Sequence, residues 1–177
     1  MTERADPAMI YVCNLIEMAE HAEALQVSHL VSLVAPGEQP PTPACIALGR
    51  HHRVGIHDIS EPLDGHILPM EEHVEGLIEF VRAWQPDQAP LLIHCIAGIS
   101  RSMAAALITL VVKAPGRELE AARQVRSVAP HAYPNRRMIE LADELLGCEG
   151  RLVAARAAMG PADLLPFGPL VVLPLLR

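Results

Sequence analysis

The stretch LLIHCIAGISRSMAAALITLV, residues 91–111, decides how the remainder of the chain is read. Leu91, Leu92 and Ile93 lead into His94 and Cys95, Gly98 interrupts the run, and an alanine- and leucine-rich segment follows Arg101. A short apolar run before a glycine-containing loop predicts a central strand over 90–94. The apolar residues from Ser102 to Lys113 predict a helix buried on nearly every side. A buried strand passing through a tight loop into a buried helix is the unit of an α/β sheet.

Outward from this unit, the pattern alternates. Strands are expected over 9–15, over 27–35, where VSHLVSLVA is bounded by Pro36-Gly37, and over 53–59. The clearest helix lies between Pro69 and Trp84. There Val74, Leu77, Ile78 and Val81 recur at helical spacing behind Pro69 and the acidic first-turn residues Glu71 and Glu72. EMAEHAEAL after the first strand, then 117–128, 136–146 and 149–159, complete the helices, with Pro134-Asn135 and Gly147 as start and stop signals. The expected fold is α/β: a mostly parallel central sheet of about four to five strands flanked by helices. Residues 1–177 read as a single domain, with the apolar tail 160–177 packing on it as strand or coil. LLPFGPLVVLPLL (164–176) is too short and too interrupted by proline to span a bilayer.

Half the residues are hydrophobic but only five are aromatic, so the core is expected to be aliphatic. The net charge of −7 argues against general affinity for nucleic acid or for anionic membrane. An anion would have to be bound by a local device. The N-terminus MTERADPAMIYV lacks a basic segment followed by an apolar run, so Cys13, Cys45, Cys95 and Cys148 are expected to be free thiols in a reducing cytoplasm.

Residues 94–101 supply such a device. Ligands of parallel sheets bind beyond the carboxyl ends of the strands, where the strand 90–94 delivers Cys95. Gly98 permits a tight backbone path, and the loop N–H groups, with the N-terminus of the next helix, converge on an anion. The same field favours thiolate over thiol at a cysteine so placed. Arg101, separated from the cysteine by five residues, offers a planar fork to two oxygens of a tetrahedral oxyanion. A phosphate holder with an aimed nucleophile is the chemical reading.

HCIAGISRS (94–102) resembles the signature His-Cys-x-x-Gly-x-x-Arg-Ser/Thr of the cysteine-dependent protein tyrosine phosphatase superfamily. Within it, AGISRS is similar to the dual-specificity branch and its short bacterial relatives. The resemblance extends loosely from about residue 10 to 159. It implies phosphomonoester hydrolysis through a cysteinyl-phosphate, without metal or organic cofactor. Cys95 would be the nucleophile and Arg101 the phosphate clamp. His94 would tune the cysteine, Ser102 would help expel the thiolate, and the amides of Ile96, Ala97, Gly98, Ile99, Ser100 and Arg101 would cradle phosphoryl oxygens. Ser100 steadies the loop or is a turn serine. Implied partners are phosphorylated proteins, of the phosphotyrosine or dual-specificity type, or small phosphomonoesters. A catalytically silent phosphate-binding module and a sulfur- or arsenate-oxyanion enzyme are the alternatives.

A leaving alkoxide or phenoxide needs a proton, which the resemblance assigns to an aspartate upstream of the cysteine. Asp87, in WQPD, lies before the strand that ends at Cys95. Up to about 26 Å of extended chain, at about 3.3 Å per residue, therefore separates the two, and Asp87 falls at the wrong end of the sheet. Asp58, at the end of the strand RVGIH, and Asp64, in a DGH turn, remain as candidates, and the Asp58-Ile59 pair, similar to one in the short bacterial relatives, makes Asp58 the acid that the resemblance implies. His51, His52, His57 and His66 match no strong zinc spacing. Cys13 or Cys45 as an oxidation partner of Cys95, Arg136 and Arg137 as a basic pocket rim, and Tyr133 as an aromatic wall stay open beside their readings as buried thiols, a solvated helix start and a surface side chain.

Overall fold

The computed structural model describes residues 9–85 and 89–177, so Asp87 lies outside the described residues. Strand β1 (Met9–Cys13) leads to helix α1 (Met18–Ala24), then β2 (His29–Val34) and β3 (His51–Gly55). Helix α2 (Glu71–Ala83), β4 (Leu91–His94) and α3 (Arg101–Lys113) follow. Helices α4 (Glu118–Val128), α5 (Arg136–Leu145) and α6 (Arg151–Ala158) precede β5 (Val171–Pro174). The sheet order is β3-β2-β4-β1-β5. The first four strands are parallel and β5 runs antiparallel to β1. The fold is thus the mostly parallel α/β sheet that the alternation predicts, closed at one edge by an antiparallel strand.

Side chains alternate across the sheet, as successive Cβ atoms of a strand must. Ile10, Val12, Val31, Leu33, Leu91 and Ile93 join the larger core with residues of α2 to α6. Tyr11, Cys13, Leu30 and Leu92 face the opposite way and pack with Met18 and Ala22 of α1. Helix α3 is buried from Arg101 to Val111, because it lies against β1 and β4 and is flanked by α2, α4 and α5. This accounts for its nearly unbroken apolar sequence.

The strand expected at 53–59 runs instead from His51 to Gly55. Its ladder with β2 ends at the pair Val34↔Gly55. Beyond that point β2 gives way to Ala35-Pro36, and proline has no N–H to continue a ladder. The chain therefore leaves the sheet before Asp58, which sits in the loop after β3 and not on a strand. The carboxyl ends of β1, β2, β3 and β4 open onto one side of the molecule.

Candidate active site

At that side β4 delivers His94 and Cys95, and the loop 95–100 turns into α3 at Arg101. The loop's carbonyl oxygens point outward to donors elsewhere in the fold. Ile96 O accepts from Leu15 N (3.1 Å), Ala97 O from Gly168 N (2.7 Å), Ile99 O from Tyr133 N (2.9 Å) and Ser100 O from Asn135 N (3.2 Å). In a planar trans peptide the N–H points opposite to the C=O. The amides of Ala97, Gly98, Ser100 and Arg101 are therefore turned inward, and Gly98 N donates to Cys95 Sγ at 3.3 Å. Gly98 has φ +74°, and a Cβ there would lie 2.9 Å from the carbonyl carbon and oxygen of Cys13. Only glycine fits so close to the end of β1.

Cys95 Sγ and Ser102 Oγ share a hydrogen bond of 3.1 Å, and both residues are buried. Arg101 is also buried, anchored by Nη1 donating to Ile56 O at 2.8 Å. Its Nε has no hydrogen-bond partner among the described residues. A buried guanidinium N–H without an acceptor costs free energy unless an anion takes the bond. Cys95, Ile96, Ala97, Ile99, Ser100 and Arg101 line a cavity of about 750 Å³. His94 and Ser102 stand behind this lining, where the His94 Nδ1–H donates to the Cys95 carbonyl at 3.2 Å. Burial, with Arg101 nearby, pushes His94 down to about 4, so the ring is neutral at ordinary pH.

Of the two candidate acids, Asp58 lines this cavity. Its Oδ1 accepts from Ser100 Oγ at 2.6 Å and from Asn135 Nδ2 at 3.0 Å. Asn135 also caps α5, its Oδ1 accepting from Met138 N at 3.0 Å. Helix α5 thereby fixes both the cavity wall and the carboxylate. Asp64 sits in an exposed turn six residues further on, its carbonyl accepting from His66 Nδ1, and is not among the lining residues. The Ser100 hydroxyl thus faces the carboxylate as well as belonging to the loop.

The rim includes Tyr133, Arg136, Arg156, Leu165 and Pro166. Arg136 is engaged by Glu61 and by Glu140 (2.8 Å), while Arg137 turns to Pro69 O and does not line the cavity. The Arg156 guanidinium lies 5.2 Å above the Tyr133 ring centre. All four cysteines are free. Cys13 pairs with His94 in the β1–β4 register, and burial, with Glu17 and Cys95 near, pushes its thiol up. Among the described residues no three His, Cys, Asp or Glu side chains gather as metal ligands would. His52 stacks on Phe80, and His57 meets His66 edge-on. Sequence reasoning missed Asn135 as a partner of Asp58, as well as Arg156, Leu165 and Pro166. Pro134-Asn135 was legible only as a helix start.

Residues 64–136 match the protein-tyrosine phosphatase family, a segment that contains Cys95 to Ser102 and Asn135. No curated protein matches the sequence. Among solved structures, DUSP15 aligns with a TM-score of 0.63 at 19% identity over 86% of this chain and 90% of that one. Human DUSP28 aligns with a TM-score of 0.60 at 19% identity over 87% and 96%. The human tyrosine phosphatase-like serine/threonine/tyrosine-interacting protein aligns with 0.63 at 15% over 79% and 92%. At these identities the likeness is one of fold, that of the dual-specificity phosphatases.

Proposed function

We propose that this chain, whose resemblance to the dual-specificity type of cysteine-dependent protein tyrosine phosphatase rests on both signature and fold, hydrolyses phosphomonoesters through a cysteinyl-phosphate. The observation that carries the proposal is the unpartnered, buried Arg101 Nε beside Cys95, at a loop whose amides are turned inward. These groups form a tetrahedral-oxyanion site with a sulfur nucleophile at its floor.

In the first step Cys95 Sγ attacks phosphorus in line, forming the S–P bond as the P–O bond to the leaving group breaks. Asp58 gives that oxygen its proton. Oδ1 already accepts two hydrogen bonds, so the proton resides on Oδ2. Arg101 and the loop amides hold the equatorial oxygens. In the second step water attacks phosphorus, Asp58 takes a proton from it, and the S–P bond breaks. The Ser102 hydroxyl and Gly98 N–H stabilise the departing thiolate. Residues 1–177 act as one phosphatase unit, since the tail, through Gly168, holds the Ala97 carbonyl. The free thiols fit a reducing compartment such as the cytoplasm.

The substrate class is phosphoprotein, of the phosphotyrosine or dual-specificity type. The test is hydrolysis of p-nitrophenyl phosphate by the wild type beside Cys95→Ser and Asp58→Asn. Vanadate-sensitive turnover in the wild type, its loss in Cys95→Ser and a large drop in Asp58→Asn are expected. Vanadate binding without turnover in the wild type would replace the proposal with a silent phosphate-binding module.

A further inference from the structure

Behind the nucleophile a line of polar groups crosses three strands and reaches solvent. His94 Nδ1 lies 3.2 Å from the Cys95 carbonyl, which only accepts, so Nδ1 bears the hydrogen. In the neutral ring Nε2 is then an acceptor, and it takes the hydroxyl hydrogen of Ser32 at 2.6 Å. Ser32 has given its only hydrogen, so the His51 Nε2 at 2.8 Å from the same oxygen must donate. His51 Nδ1 is in turn an acceptor and receives Thr42 Oγ1–H at 2.7 Å. Thr42 Oγ1 accepts from Arg53 Nη2 at 3.0 Å. One fixed direction therefore runs from Arg53 through Thr42, His51, Ser32 and His94 to Cys95.

The groups along the line differ in exposure. Ser32 and His94 have no solvent exposure, His51 is partly buried and Thr42 is exposed. The charged and titratable groups bearing on the His51 ring are Arg53 and His52 on its own strand and His94 on β4. Burial, with these neighbours, pushes His51 down to about 4, so the direction of the line is constant above roughly pH 5.

We propose that His51 and Ser32 are positioning residues for the Cys95 nucleophile: they lock the His94 tautomer so that its Nδ1–H stays on the Cys95 carbonyl and the positive end of an aligned hydrogen-bond chain faces the thiolate. Without Ser32 the buried His94 Nε2 loses its donor. That nitrogen is then a buried acceptor without a partner, the aligned chain is cut from the ring, and the hold of its Nδ1–H on the Cys95 carbonyl weakens. Aligned bonds polarise one another, so removing an outer member weakens the inner ones.

The inference rests on Cys95 being the nucleophile, and its test separates the two ideas. The rate of alkylation by iodoacetamide is followed against pH on the peptide that carries Cys95, alongside kcat and KM for p-nitrophenyl phosphate. Ser32→Ala should move the alkylation midpoint to higher pH and lower kcat about tenfold, the size of one lost buried hydrogen bond, with KM little changed. His51→Phe should act in the same direction by less and add nothing in the Ser32→Ala background, while Ser32→Thr should restore the wild-type profile. Thr42→Val, at the exposed end, gives the same readout if the inner variants fail to fold. An unmoved alkylation midpoint in these variants, or effects that multiply independently in the double variant, would overturn the relay. Alkylation shifts in these variants, beside a wild type that never hydrolyses phosphate, would retain the relay and remove the phosphatase reading.

Discussion

Replacing Gly98 by alanine separates two costs that the structure allows to be worked out individually. The first is conformational: φ is +74°, and an L residue in the left-handed region costs about 1–2 kcal/mol. The second is steric. The new Cβ would sit 2.9 Å from Cys13 C and O and 3.0 Å from Asn14 N, against the roughly 3.5–4.0 Å of an ordinary contact. All three atoms are backbone at the end of β1, so no side-chain rotation relieves the overlap. The loop must retreat by more than half an ångström, carrying the inward amides away from Cys95. Gly116 has φ +84° with nothing within 4 Å, so Gly116→Ala carries the first cost alone. In urea unfolding Gly116→Ala should lose about 1 kcal/mol and Gly98→Ala about 3 kcal/mol. Phosphatase turnover should be unchanged in the first and fall on the order of 100-fold in the second, as a misplacement of about 1 Å does elsewhere. Equal stability losses with intact turnover in Gly98→Ala would refute the packing of this loop on β1.

Two further outcomes follow from the same geometry. His94 is pushed down to about 4 in the fold but has its ordinary value of about 6.5 when unfolded, so the unfolded chain binds the extra proton between these values. Its contribution to stability is complete above pH 6.5 and is lost as pH falls through 4. The His94 share of the loss between urea titrations at pH 7 and near pH 4 should be about 3 kcal/mol, read as the difference between the wild type and a His94→Asn variant, because His51, also pushed down to about 4, adds a loss of the same sign to both. Asn135→Ala removes both the cap of α5 and a hydrogen bond to Asp58. It should cost about 1 kcal/mol in thermal unfolding. Its kcat should fall more than its KM rises, and the fall should be steeper for substrates with poor leaving groups, where proton donation matters most.

What could be read from sequence was what is local. Cys95, Gly98, Arg101 and Ser102 lie within eight residues, and the strand-to-helix junction that gives them meaning is written in the same stretch. The pattern of β1, β2, β4 and the helices followed equally from apolar spacing, because both sheet faces are covered and the strands are apolar on both sides. The choice between Asp58 and Asp64 depended instead on where β3 stops, which is set by Pro36 beside the partner strand, and on Asn135, 77 residues away. The Ser32–His94 contact, 62 residues apart, left no local trace, and His51-His52 offered only a spacing unlike that of a zinc site. The tail was legible as apolar, but not its landing on Ala97. Its antiparallel pairing with β1 determines that position.

The most direct test of the central claim is capture of the covalent intermediate. Wild-type protein mixed with a phosphorylated substrate and quenched in acid within the first turnover should carry one phosphoryl group on the peptide containing Cys95. That adduct should decay as inorganic phosphate appears, and should be absent from Cys95→Ser. Phosphate release with no adduct on Cys95, or an adduct on another residue, would contradict the account.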